Sequence, residues 1–341
     1  MNVISSFSIA AFKNWQPLLV LLFSIAVAYL VGEFLIPVLR RDHLGQRVRE
    51  DGPQSHLKKT GTPTFGGAIF LAPFVLVFVY QWAQARLAPP MIALGFFTLA
   101  MAAIGFADDY VKVRIRKEGL SVLQKTLSTL LVIAAFLFAL HRFDALDGFY
   151  LPFAGKRFIA VEGHWIILFV AFAVFYHYAA SHAVNLCDGV DGLCGSVTSV
   201  ALLFIGMLAI PQFASSNLID LPLNFSLIGG LLAFLIFNHH PAKIFMGDLG
   251  SLALGAYVSG LLFLLKQPWL FLLFGVIYVI EIASVLIQVC YFKYTGGKRI
   301  FKMSPIHHHF ELSNWSEMKI VTVFTMITLF ASLIALIAAR I

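Results

Sequence analysis

The sequence predicts an all-α integral membrane protein of about ten transmembrane helices, on three observations. Of its 341 residues, 60% are hydrophobic and only 12% are charged; soluble domains carry roughly 25% charged residues. Mean hydropathy is +0.88. The apolar residues gather into runs long enough to cross a bilayer core, which takes about 20 residues of helix. A soluble globular class is excluded. No polar stretch is long enough to fold separately, so residues 1–341 read as a single polytopic membrane domain.

The runs fall near 17–39, 66–88, 90–107, 122–141, 164–184, 192–210, 224–239, 250–267, 268–292 and 318–339. An even number places both termini on one side. Lys and Arg decide which side, because they concentrate in cytoplasmic loops. Segments 40–65, 108–125, 185–191, 238–249 and 293–319 carry 17 of the 24 basic residues. That face is therefore expected to be cytoplasmic and both termini periplasmic. The same distribution accounts for the net charge of +7 without nucleic-acid binding.

Smaller features complete the layout. The opening MNVISSFSIAAFKNW lacks the parts of a cleavable signal peptide, so the first span is expected to act as its own insertion signal. RFDALDGFYLPFAGKRFIAVEG (142–163) alternates aromatic and polar residues around Gly turns, as a short hairpin on the outer surface would. The ninth run, 25 residues long, is expected to tilt or bend and to line a groove for a lipid chain. Cys187, Cys194 and Cys290 make neither a disulfide framework nor a zinc spacing.

Four stretches carry the chemistry, all on the predicted cytoplasmic face. GFADDYVKVRIRK (105–117) ends the third span with Asp108 and Asp109, whose side chains point about 100° apart on a helix and can serve different partners. NLCDGVDG (185–192) sets Asp188 and Asp191 in tight Gly turns beside Asn185. FNHHPAKIFMGDLGS (237–251) places Asp248 between two glycines at a helix start, where a carboxylate can hold a hard cation. SPIHHHFE (304–311) offers three consecutive imidazoles, one or two of which suit phosphate or a leaving group more readily than zinc. Each has a plainer alternative: solvated acids at a helix end, helix caps, or a solvated loop. Their convergence on one face favours Mg²⁺, which binds through one or two carboxylates plus substrate phosphates. Among polar residues inside spans, Glu33, Glu281 and Gln288 stand out. Glu281 and Gln288 share a helix face and are expected to support packing between helices.

Together with KKTGTPTFGG (58–67), ADDYVK (107–112) and NLCDGVDGL (185–193), these motifs resemble the phospho-N-acetylmuramoyl-pentapeptide transferase family of the polyprenyl-phosphate N-acetylhexosamine-1-phosphate transferases. Their order and placement cover nearly the whole chain. The resemblance implies transfer of phospho-MurNAc-pentapeptide from UDP-MurNAc-pentapeptide to undecaprenyl phosphate, giving lipid I and UMP. It also implies Mg²⁺, a homodimer, and the bacterial inner membrane. By motif position it implies catalytic roles for Asp108, Asp109, Asp248, His307, Lys112 and Lys125. Asn185, Asp188, Asp191, Asn238, Phe245, His308 and Thr64 fall at substrate-binding positions, with Asp248 and Asp109 on the metal. Two other readings stay open: a transferase using UDP-GlcNAc, and a cation transporter. The second fits poorly, because transport sites lie near the bilayer midplane and these acids gather at one surface.

Overall fold

A computed structural model describes residues 16–42, 59, 61–116, 118–154, 157–208 and 220–340. The expectations for the first fifteen residues, and for Lys58 and Thr60 of the 58–67 motif, lie outside the described residues. The helices in chain order are α1 (Gln16–Arg41), α2 (Gly67–Ala83), α3 (Pro89–Arg114), α4 (Val122–Arg142), α5 (Trp165–Cys187) and α6 (Leu193–Leu208). They continue as α7 (Leu221–Asn238), α8 (Gly247–Leu264), α9 (Phe271–Phe274), α10 (Val276–Tyr294), α11 (Ile306–Glu311) and α12 (Glu317–Arg340). Eight are long and apolar enough to cross a membrane; α2 and α6, with 17 and 16 residues, are apolar but shorter. The protein is thus an all-α integral membrane protein.

Local signals set several helix ends that matter for the site. α3 starts at Pro89 and Pro90, where the missing amide hydrogen is no loss. Ser121 caps α4 in a reciprocal box: its hydroxyl accepts from Gln124 N–H at 3.2 Å, and the Gln124 side chain accepts from Ser121 N–H at 3.0 Å. That box fixes Lys125 in the first turn of α4. Asp220 caps α7, accepting from Leu223 N–H at 2.7 Å and from the Gln81 side chain at 3.0 Å.

The structure departs from the expected spans in three places. α3 runs on to Arg114 instead of stopping near 107, so Asp108 and Asp109 lie within its last turns, followed by Lys112 and Arg114. Basic side chains there complement the helix dipole and let the helix outlast its apolar stretch. α2 stops at Ala83, before a turn in which Ala85 has φ 52. The ninth run is broken: a 3₁₀ turn at Pro268–Leu270 leads through α9 to Gly275, whose non-helical backbone (φ −102, ψ 25) separates α9 from α10. The expected hairpin is present, with Gly148–Tyr150 (β1) paired antiparallel to Phe158–Ala160 (β2) and Phe149 opposite Ile159.

α8 is the hub of the bundle. Every one of its residues after Gly247 is buried, and it packs on α3, α5, α2 and α6. Small residues allow this density, as is usual where membrane helices approach closely. Gly105 of α3 lies against the Asp248 carbonyl with no room for even a methyl group. This contact brings the end of α3, with its two aspartates, against the start of α8.

Candidate active site

Three carboxylates meet where α3 reaches the start of α8. Asp108, Asp109 and Asp248 are 2%, 3% and 8% exposed, and each offers an oxygen within 4.8 Å of the other two. Gly247, at φ +74, makes the turn into α8 with its α-carbon packed against the Asp109 carboxylate and the Thr64 hydroxyl, leaving no space for a side chain. Main-chain amides orient the acids: Leu249 N–H donates to Asp109 at 3.1 Å and Leu120 N–H to Asp108 at 2.8 Å.

Two lysines close over the carboxylates. Lys112 Nζ lies 2.6 Å from Asp108, 3.1 Å from Asp248 and 3.8 Å from Asp109. Lys125, from α4, bridges Asp248 and Asp108, the latter at 3.4 Å. Asn185, at the end of α5, donates to Asp248 at 2.8 Å and to the Ser251 hydroxyl at 2.8 Å. Asp188 follows that helix and faces the same centre. Burial, then the charges of Asp248 and Asp109, push its carboxyl well above the usual carboxylate range, opposed by a hydrogen bond from Gly247 N–H.

Three buried carboxylates outnumber the two lysines that meet them, with Asp188 nearby. The donors are hard oxygens, and several lone pairs are not engaged by the lysines. This set fits a divalent cation such as Mg²⁺.

Asp191 joins a second cluster instead. It lies 2.8 Å from Lys59 Nζ and 3.0 Å from His240 Nδ1, and Glu317 lies 2.7 Å from the same lysine. Asp191, His240 and Glu317 also have metal-ligand spacing, and Lys59 meets both carboxylates there as Lys112 and Lys125 meet those of the first cluster. The sequence reading gave His240 and Glu317 no role. Glu317 is separated from Asp191 by 126 residues, and no local pattern signals the pairing.

Of the other expected site residues, Thr64 borders the acid cluster, and the rest make their polar contacts elsewhere. Asn238 is 3% exposed with both ends of its amide on main chain: it accepts from Gly192 N–H at 2.9 Å and donates to Ile244 carbonyl at 2.9 Å. Phe245 is half-buried, and its backbone pairs with Pro63 and Gly66 at 2.8 Å each. Thr64 is buried beside Gly247 with its hydroxyl unpartnered. His308 pairs with Glu311 at 2.6 Å. His307, 1% exposed, lies beneath the Asn185–Gly192 turn at 3.1 Å from Glu281. Glu281 of α10 thus meets His307 of α11, a contact between helices as expected, whereas Gln288 holds the loop amides of Ile300 and Phe301.

On the membrane side, α1, α2 and α3 enclose an apolar groove of about 1130 Å³. Leu249 and Phe65, next in sequence to Asp248 and Thr64, form part of its wall, with Tyr110 and Arg114 on α3.

Buried acids and lysines on an apolar helical bundle, beside an apolar groove, mark a candidate active site in an integral membrane protein. The profile of glycosyl transferase family 4 matches residues 91–266. A phospho-N-acetylmuramoyl-pentapeptide-transferase of Acetivibrio thermocellus is 44% identical over 94% of this chain and 94% of its own length. Transferases of the same name from Carboxydothermus hydrogenoformans and Listeria monocytogenes serovar 1/2a are 44% and 41% identical, over 92% and 93% of this chain and 96% and 98% of their own. The chain belongs to the phospho-N-acetylmuramoyl-pentapeptide-transferase family.

Proposed function

We propose that this protein transfers phospho-MurNAc-pentapeptide from UDP-MurNAc-pentapeptide to undecaprenyl phosphate, forming lipid I and UMP. The observation that carries the reading is the Asp108, Asp109 and Asp248 cluster with Lys112 and Lys125 over it. Phosphoryl transfer depends on positioning and charge neutralisation more than on covalent help. Lys112 and Lys125, held over the acids, would meet the diphosphate of the donor. Asp108, oriented by Leu120 N–H, is the group to take the proton from the lipid phosphate. Asp248 and Asp109 would hold Mg²⁺, which supplies charge stabilisation to the diphosphate and the departing UMP.

The same reading extends to ten spans with both termini periplasmic, a single membrane domain over residues 1–341, a homodimer, and the bacterial inner membrane. Transfer from UDP-GlcNAc is the second reading; the relatives' names favour the muramoyl donor over it. Purified protein given both UDP-sugars, Mg²⁺ and undecaprenyl phosphate should make only the muramoyl-pentapeptide lipid. A GlcNAc lipid as sole product would overturn the assignment.

A further inference from the structure

The buried face of α10 carries a polar stripe that the proposed reaction leaves unused. Glu281, Ser284 and Gln288 are 0%, 3% and 7% exposed, and their spacing puts them on one side of the helix. A buried carboxylate in an apolar helix is costly unless another group meets it. Gln288 accepts from the main-chain N–H of Ile300 at 3.2 Å and of Phe301 at 3.0 Å. About two turns along the helix, Glu281 Oε2 lies 3.1 Å from His307 Nδ1.

Among the described residues, neither the Glu281 carboxylate nor the His307 imidazole makes a hydrogen bond, so their 3.1 Å approach is a close polar contact between two groups that nothing else engages. The Ser284 hydroxyl turns back to the Glu281 carbonyl at 2.7 Å. The Nε2 edge of the imidazole packs on Gly189, in the middle of the Asn185–Gly192 turn, where a side chain would overlap the ring. Acid, imidazole and turn backbone thus form one continuous stack.

We propose that Glu281 is a positioning residue that acts through His307 to hold the 185–192 turn in the shape that receives the sugar-nucleotide donor. The identity of that donor rests on the transferase reading above. Gln288 fixes the start of the 300–307 segment and Glu281 its end, so the imidazole is clamped against the turn from behind. The last turn of α5 carries Asn185, which orients Asp248, and the turn that follows carries Asp188, beside the acid cluster. Loosening the clamp therefore weakens donor binding before it affects the chemical step.

The test compares Glu281→Gln, His307→Gln, their double variant, and Gly189→Ala. The last strikes the imidazole from the opposite side and leaves the buried acid untouched, so it serves if Glu281→Gln fails to fold. Two readouts are used. Steady-state kinetics separate donor KM from kcat. Alkylation of Cys187, 0% exposed at the helix end leading into the turn, is followed by mass spectrometry in a Cys290→Ser background.

Glu281→Gln and Gly189→Ala should each raise donor KM about tenfold, the scale seen when a supporting partner of a functional group is lost, with kcat little changed. Cys187 should react faster in both, and Glu281→Gln should add nothing to His307→Gln. Wild-type KM and alkylation rates in Glu281→Gln, a fall confined to kcat, or losses that multiply in the double variant would overturn the proposal. Wild-type protein inert to the muramoyl donor would sink the transferase reading instead. The Cys187 rates need no substrate and still decide the clamp.

Discussion

Asn185 gives one amide hydrogen to Asp248 and the other to Ser251, both at 2.8 Å, so a single side chain ties the end of α5 to the first turns of α8. It restrains the carboxylate that would hold the metal. Asn185→Ala should lower turnover about 10- to 100-fold, as loss of such a supporting bond typically does. The Mg²⁺ concentration for half-maximal rate should rise with it. A variant whose Mg²⁺ dependence is unchanged would remove Asn185 from this role.

Asp248 receives both lysines as well as Asn185. Asp248→Asn keeps the shape and removes the charge. Turnover should fall about 10²-fold or more, the range for loss of a key electrostatic group. Near-normal rates at limiting Mg²⁺ would shift the metal to Asp109.

The role of Asp108 can be separated by pH. A phosphate monoester has a second pKa of about 6, so a base helps the lipid phosphate mainly on the acid side. If Asp108 takes that proton, Asp108→Asn should be most impaired near pH 6 and recover partly towards higher pH. A nucleophilic Asp108 requires a carboxylate at every pH. Turnover that stays flat and absent across the range, with nucleotide binding intact, would sink the base assignment.

Burial and its acidic neighbours hold the Asp188 carboxyl well above the usual range. A cation arriving at Asp248 and Asp109 favours the charged form. Mg²⁺ binding should therefore release protons at any pH where Asp188 still holds one, and Asp188→Asn should release fewer. Calorimetry in buffers of different ionisation heat measures this; no release from the wild-type protein would contradict it.

Topology is tested by cysteine labelling in a Cys290→Ser background. A cysteine replacing Tyr294, 92% exposed at the end of α10, should react only from the cytoplasmic side. One replacing Glu162, exposed beyond the hairpin, should react only from outside. Labelling of both from the same side would place one of the predicted crossings in error.

The helices were legible because the bilayer demands long apolar runs, and each of the ten runs contains a helix. Their ends were less so. A hydropathy run stops where side chains become polar, while the backbone ladder of α3 continues through Asp108 and Asp109 to Arg114. The length of the ninth run signalled a bend, but not its position at Gly275, whose neighbours are uniformly apolar. Within the site, glycine-flanked acids marked Asp188 and Asp248. The partners that fix Asp191 could not be read, since Lys59, His240 and Glu317 meet only through tertiary folding. Asn238 stood in a motif for substrate contact, yet its amide is engaged at both ends by main chain.

The burial of α8 divides the bundle's residues by audience. Its neighbours all keep exposed apolar residues, whereas α8 past its first residue is buried throughout, with only Leu249 reaching the groove wall. Hydrophobicity on that helix is therefore free to be low, and its glycines and serines are selected by fit alone. An added methyl at Gly255 would run into the backbone of Ser181. Lipid-facing positions such as Phe34 or Leu131 should accept any apolar side chain. Tolerance to substitution along this chain should thus rise with distance from α8, which makes the helix that begins with Asp248 both the wall of the site and the least editable part of the molecule.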